Sequence, residues 1–294
     1  MSPTLEVLAT GPLVLVEDAG RPGLAAVGVG RSGAADRGSF RLGARLVGNR
    51  RRRASLEVLL GGLSVRAHGR ATVALTGAPA PASVDGRPVA HATLVELADG
   101  AVLTLGMPSR GLRTYLTVRG GIDVPQVLGS RSRDTLSGLG PAPVAVGDLL
   151  PVGEPGRRFP TVDHAPQPVV RPDGPTRLHV GPGPRSAWVG GWDSGLGGLL
   201  GPDRVVAADS DRVGLRLTGT PVRRVAAWRD AELPSEGMVR GAVQLPPDGE
   251  PVVFLADHPV TGGYPVVGVL TASACDRAAQ LRPGEPVRLV AARG

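Results

Sequence analysis

The stretch Thr93-Leu-Val-Glu-Leu-Ala-Asp-Gly-Ala-Val-Leu-Thr-Leu105 holds two short apolar runs, Thr93–Leu97 and Ala101–Leu105, parted by Asp99-Gly100. Each run is too short for a helix and carries a polar residue (Glu96, Thr104) between apolar ones, as a half-buried strand does, while Asp-Gly marks a tight turn. The same pattern recurs at Leu13–Val16, Leu56–Val65, Thr72–Leu75, Thr114–Val118, Arg177–Val180, Val252–Leu255, Val266–Leu270 and Val287–Val290. The chain has 44 glycines and 29 prolines in 294 residues, about twice ordinary usage, with no collagen period. That composition implies many turns joining short strands. The expected fold class is mainly β, with few short helices.

Helical spacing is found in two places. Ala35–Val47 starts beside Asp36 and presents Phe40, Ala44, Leu46 and Val47, and Ser273–Leu281 stops at Arg282-Pro-Gly284. Ser186–Leu200 has apolar residues, but its internal glycines weaken a helix. Strands are not regularly interleaved with helices, which argues against a doubly wound α/β fold. Periodicity is lost in the proline-dense Gly153–Pro175. The expected organisation is a β-rich lobe over 1–153, a linker over 154–175 and a second β-rich lobe over 176–294.

Lysine is absent, so all 33 basic residues are arginine. This excludes a Walker-A lysine, a Schiff base, a Ser–Lys dyad and a biotinylated lysine on this chain. The net charge of +7 raises nucleic-acid binding, but the one dense basic run is Arg50-Arg-Arg-Arg53 and no aromatic residues alternate with it. A solvated turn is the better reading, and no nucleic-acid partner is expected. The single cysteine, Cys275, permits no internal disulfide and fits a reducing compartment as a buried bystander. No charged segment followed by an apolar stretch opens the chain, and no run of 18 apolar residues occurs. The expectation is a cytoplasmic protein with no membrane partner.

Gly28-Val-Gly-Arg-Ser-Gly33 matches the glycine spacing of a dinucleotide fingerprint, but no βαβ series surrounds it, so a turn is expected. The five histidines show neither HxH nor HExxH spacing, and no metal site is expected. GxSxG is missing. Both tyrosines, Tyr115 and Tyr264, lie in polar, glycine-rich segments, which suggests binding rather than core positions. Arg212 and Arg216 stand at i and i+4; on one strand they would share a face and suit a carboxylate, carbamate or phosphate. Glu236, Gln244, His258 and Tyr264 follow on nearby segments, and the expectation is that they converge on one hollow in the second lobe.

Many of these segments together carry a family resemblance. In chain order they include Glu17-Asp-Ala-Gly-Arg-Pro-Gly23, Gly33-Ala-Ala-Asp36, Leu56-Glu-Val-Leu59, Arg113-Thr-Tyr-Leu116 with Gly120-Gly121, and Gly129-Ser-Arg-Ser132. Gly183-Pro-Arg185, Ser210-Asp-Arg212, Ser235-Glu-Gly237, Gly241 with Gln244 and Pro246, and Thr261-Gly-Gly-Tyr264 complete the set. The chain resembles the biotin-dependent carboxyltransferase-like family, which includes the C component of 5-oxoprolinase, allophanate hydrolase subunit 2 and Kip-type kinase-inhibitor antagonists. The resemblance covers nearly the whole chain and implies a cyclophilin-like β-barrel. It also implies a Kip-type partner, like the B component of 5-oxoprolinase, and a lactam-utilisation-type partner, like its A component, with ATP as co-substrate of the complex. On that reading Arg212 and Arg216 clamp the substrate carboxylate and His258 or Glu236 serves as acid/base. Gln244 and Tyr264 donate hydrogen bonds, and Tyr115 joins the substrate-binding set. The alternatives are a carboxyltransferase acting on urea or a related amide, with biotin supplied in trans, and a non-enzymatic antagonist of a kinase inhibitor. Prolyl isomerisation follows from fold alone, and fold does not fix function. The chain departs from the family pattern at Glu17, where Gln is usual, and at Leu24, often aromatic.

Overall fold

The computed structural model describes residues 3–157, 159, 162, 164–165 and 174–292. The chain divides into two compact units: Met1–Pro22 with Ser32–Val169, and Gly23–Arg31 with Val170–Gly294. Of the segment expected as a linker, 154–175, positions 158, 160, 161, 163 and 166–173 lie outside the described residues.

The first unit is built from β1 (Thr4–Ala9), β2 (Leu13–Glu17), α1 (Arg37–Leu46), β3 (Ser55–Leu59), β4 (Ser64–His68), β5 (Ala71–Gly77), β6 (Ala82–Val84), β7 (Arg87–Pro88), β8 (Leu94–Leu97), β9 (Val102–Leu105), β10 (Arg113–Val118) and β11 (Leu149–Pro151). They form a six-stranded sheet, β11-β1-β4-β9-β6-β7, and a five-stranded sheet, β2-β3-β10-β5-β8. The two sheets share one core. Leu5, Val7, Val65 and Leu103 come from the first sheet, and Val14, Val16, Leu56, Val73 and Leu116 from the second. Alternate side chains of each strand point inward, as the period of two requires. The Asp99-Gly100 break does not close a hairpin. β8 pairs with β5 and β9 with β4 and β6, so the turn carries the chain from one sheet to the other. The run Leu56–Val65 is likewise two strands, split where Leu60, Gly61 and Gly62 all take positive φ.

Helix α1 starts at Asp36, whose carboxylate accepts from the Ser39 amide at 2.9 Å and the Ser39 hydroxyl at 2.6 Å. Its apolar side buries Phe40, Ala44 and Leu46. The glycine pair Gly120-Gly121 turns the chain after β10. Gly120 has φ +101°, and a Cβ there would lie 1.9 Å from the carbonyl oxygen of Gly153.

The second unit contains β12 (Thr176–Pro182), α2 (Gly195–Gly198), β13 (Asp203–Val206), β14 (Gly214–Thr218), β15 (Glu236–Gly237), β16 (Ala242–Gln244), β17 (Val252–Phe254), β18 (Thr261–Gly262), β19 (Val266–Leu270), α3 (Ala272–Ala278) and β20 (Pro286–Ala291). Seven strands close a barrel in the order β12-β19-β16-β17-β14-β13-β20. The β12–β20 pair is parallel and the other pairings within the barrel are antiparallel. This agrees with the barrel that the resemblance implied. Leu178, Val180, Leu215, Leu217, Val243, Val253, Val267 and Leu289 fill it. Helix α3, capped by the Thr271 hydroxyl, packs Ala274, Cys275 and Ala278 onto that core, and Cys275 is buried as expected. The glycines of Ser186–Leu200 limit it to a 3-10 turn at Ser186–Val189 and the short α2, inside which Leu196 and Gly197 are left-handed. The small sheet β15–β18 stands apart from the barrel strands.

Because Gly120 combines positive φ with a backbone atom in the way, Gly120→Ala is expected to cost about 3 kcal/mol. Urea midpoints of the variant and the parent chain measure it.

Candidate functional site

The second unit places Glu236, Gln244 and Tyr264 on neighbouring elements. Glu236 pairs with Gly262 across β15–β18. Gln244, at the end of β16 and buried, donates its amide Nε2–H to the Tyr264 carbonyl at 3.1 Å. Gly262 makes that contact possible, because a Cβ there would lie 2.7 Å from Gln244 Nε2. Tyr264 is 44% exposed, and with Gly263 it lines a cleft of about 420 Å³. Arg224, Arg229, Asp230 and Glu232 line the same cleft.

Glu236 is hydrogen-bonded to Arg185, with Oε1 to Nη2 and with Oε2 to Nε at 3.3 Å. These bonds hold the Glu236 carboxyl below the ordinary glutamate range, outweighing the opposite pull of desolvation, and the Arg185 guanidinium shifts upward in step. Glu236 is therefore a carboxylate at neutral pH, able to accept a proton or orient a donor but poorly suited to act as an acid. His258 lies between β17 and β18, with its ring stacked near Phe254 at 6.1 Å between centroids. Its Nδ1 is 2.8 Å from the Pro259 carbonyl oxygen, so that nitrogen carries the proton in the neutral ring.

The arginine pair is not arranged as its spacing suggested. Arg212 precedes β14, which begins at Gly214, so the two guanidiniums do not share a strand face. Arg212 is 3% exposed and grips Asp257 with a bidentate fork, Nε to Oδ2 at 2.8 Å and Nη2 to Oδ1 at 3.1 Å. Arg216 is exposed and pairs with Asp209 at 2.9 Å. Tyr115 belongs to the first unit and is wholly buried, contrary to the expectation drawn from its polar neighbours. Its hydroxyl donates to Glu57 at 2.7 Å and accepts from the Asp36 amide at 2.8 Å, while Glu57 also meets Arg113 at 3.2 Å. Burial, with Glu57 and Asp36 adding to it, holds the phenol far above its usual range, so it stays protonated as a structural donor. The polar neighbours of Tyr115 in sequence point to these buried partners rather than to solvent.

Sequence reasoning missed the aromatic seat beneath one of the cleft's arginines. Trp188 and Trp228 stack in parallel, 5.0 Å between centroids and 7° between planes, and the Arg224 guanidinium lies 5.3 Å over Trp188. The one available signal was that two of only three tryptophans fall in otherwise featureless loops. Gly28, with positive φ, ends the 3-10 turn Ala25–Val27, and the residues that follow it, 29–33, form no regular element. The stretch does not form the strand-to-helix cradle a nucleotide needs. Among the described residues, no three His, Cys, Asp or Glu side chains come together as a metal-ligand set, and no helix is long and apolar enough to cross a membrane.

A family model described as carboxyltransferase domain, subdomain A and B, matches residues 27–291. The chain is 32% identical to the C component of 5-oxoprolinase from Escherichia coli (strain K12), over 97% of this chain and 90% of that protein. It is 30% identical to urea amidolyase of Saccharomyces cerevisiae over 97% of this chain but 16% of that protein. The crystal structure of TTHA0988 superposes with a TM-score of 0.86 at 31% identity, over 99% of this chain and 56% of that one. The chain thus spans about half of that solved chain.

The buried Arg212–Asp257 fork predicts that Asp257→Ala costs about 3–5 kcal/mol by removing the carboxylate that a buried guanidinium grips with two bonds. Thermal melts check this. Because the Glu236 pKa is depressed in the fold, its pairing with Arg185 stabilises the chain above the ordinary glutamate value and is lost as pH falls through the lower, folded value. Carbon-detected NMR titration should find Glu236 below ordinary glutamates, and Arg185→Ala should move it back up.

Proposed function

The chain belongs to the carboxyltransferase domain family, and from that premise we propose that it is the C component of an ATP-dependent 5-oxoprolinase. In this reading it opens 5-oxo-L-proline to L-glutamate together with a Kip-type partner and a lactam-utilisation-type partner. The observation that carries the reading is the match to the Escherichia coli 5-oxoprolinase component, which takes in 97% of this chain and 90% of that protein. A second relative of the same name, from Haemophilus influenzae, is 27% identical over 98% of this chain.

The cleft of the second unit is the proposed substrate site. Its volume admits a small ring with room to spare, and it offers cationic, anionic and phenolic residues within one hollow. A lactam is a poor electrophile for water, and in this reading phosphoryl transfer from ATP supplies the driving force. ATP is assigned to the complex and to no residue of this chain. What this chain contributes is binding and orientation. The Tyr264 hydroxyl donates to the lactam carbonyl side of the ring, and Gln244 fixes the Tyr264 backbone from behind. Glu236 and His258 do not line the cleft. One of them is the proposed base for the attacking water, and the Arg185 pairing makes Glu236 a weaker base than an unpaired glutamate. Arg212 and Arg216 have partners of their own, Asp257 and Asp209, and in this proposal they support the site rather than clamp the substrate.

The second reading, a carboxyltransferase acting on urea or a related amide, draws support from the urea amidolyase relatives. Biotin would then have to arrive on another protein, since this chain has no lysine to carry it.

The test is to purify the chain with its two partner proteins and measure ADP release and glutamate formation. Both are expected to depend on 5-oxoproline and to stop when this chain is left out. Carboxylation of urea that avidin blocks would replace this reading with the second. A tight complex that turns over neither substrate would replace it with the antagonist of a kinase inhibitor.

A further inference from the structure

Arg224 is an unusual cation for this chain. Arg212 meets Asp257 and Arg113 meets Glu57. Arg224 is in none of the salt bridges described. It rests on the face of Trp188, which the stacking partner Trp228 holds in plane. One end of its guanidinium is anchored, with Nη1 donating to the Ala231 carbonyl at 3.2 Å. Its Nε is buried and has no hydrogen-bond partner. That nitrogen is closed to a ligand. Nη2, which is in none of the described hydrogen bonds and is not buried, is the end of the guanidinium left for a ligand in the cleft that Arg224 lines.

We infer that Arg224, seated on Trp188, grips the carboxylate of the ligand and so selects carboxylated amides over neutral ones such as urea. The inference rests on the cleft being the substrate site of the proposed reaction and assigns the clamp that the Arg212–Arg216 spacing had suggested elsewhere. The aromatic face holds the guanidinium in place outside any of the described ion pairs. Asp230 and Glu232, on the same cleft and in none of the described salt bridges, add two negative charges. They favour a ligand that carries an N–H or an ammonium beside its carboxylate, as 5-oxoproline and its ring-opened amino acid both do.

The three-protein complex carrying Arg224→Ala or Arg224→Lys is compared with the parent complex on 5-oxoproline and on 2-pyrrolidinone, the same ring without its carboxylate. Arg224→Ala is expected to raise KM for 5-oxoproline about 10- to 100-fold with little change in kcat. Arg224→Lys should recover part of that loss, because it keeps the charge and loses the guanidinium. The kcat/KM on 2-pyrrolidinone should not change. An unchanged KM for 5-oxoproline, or an equal loss on both lactams, overturns the clamp. Arg224→Gln carries the test if the alanine variant does not fold. Calorimetric binding of 5-oxoproline to the complex without ATP separates this inference from the functional reading. Binding abolished by Arg224→Ala in a complex that opens no lactam keeps the clamp and removes the reaction. Turnover indifferent to Arg224 does the reverse.

Discussion

The parallel pairing of β12 with β20 closes the barrel of the second unit, and the candidate site depends on that closure. Neighbouring strands in sequence can pair antiparallel through short turns, but a parallel pair needs a long connection, here almost the whole unit. Once closed, the barrel has no free edge, and its inward-facing positions are filled by Leu178, Leu217, Val253 and Leu289. Polar chemistry is therefore pushed to the loops and to the small β15–β18 sheet, where Glu236 and the Gly262–Tyr264 turn lie.

A chain without lysine has to use arginine for every strong cation, and its environments sort the arginines by role. Arg212 is a buried fork on Asp257, and Arg113 is a buried partner of Glu57. Arg204 is buried too, and its guanidinium donates to the carbonyls of Thr220 and Gly198, with burial pulling its pKa down. Arg185 sets the charge state of Glu236. Arg224 rests on an aromatic face, as Arg119 does on Phe159, and of the two it is the one that lines the cleft. The distinction between structural and functional cations is thus one of partners, and residue type does not reveal it.

The two enzymatic readings of the family differ in what the substrate carries. A 5-oxoprolinase handles a ring with a carboxylate, whereas a urea-acting enzyme handles a small neutral amide. A cleft with a guanidinium seated on tryptophan and in none of the described ion pairs favours the first, because a neutral amide offers it no opposite charge. The match to the C component of 5-oxoprolinase points the same way by an independent route.

Many of the strands were legible in the sequence because they pair a turn of Gly, Pro or Asp with a short apolar run, which is local information; β1, β13 and β16 were not among the runs read as strands. Helix α1 was legible for the same reason, through Asp36 and the spacing of Phe40, Ala44 and Leu46. The neighbourhood of Gln244 and Tyr264 was indicated by the family-like segments, although their hydrogen bond runs through a backbone carbonyl that no motif displays. Pairing across long separations was not legible. Asp99-Gly100 reads as a turn whether it closes a hairpin or crosses between sheets, and Arg212 with Arg216 reads as a clamp until Asp257, 45 residues away, claims the first. Tyr115 looked exposed because its sequence neighbours are polar, yet Glu57 and Asp36 arrive from distant segments to bury and satisfy it. The sequence by itself determined many of the turns and many of the strands. Only the tertiary structure decided which charges neutralise one another, because that depends on distances through space between residues the chain keeps far apart.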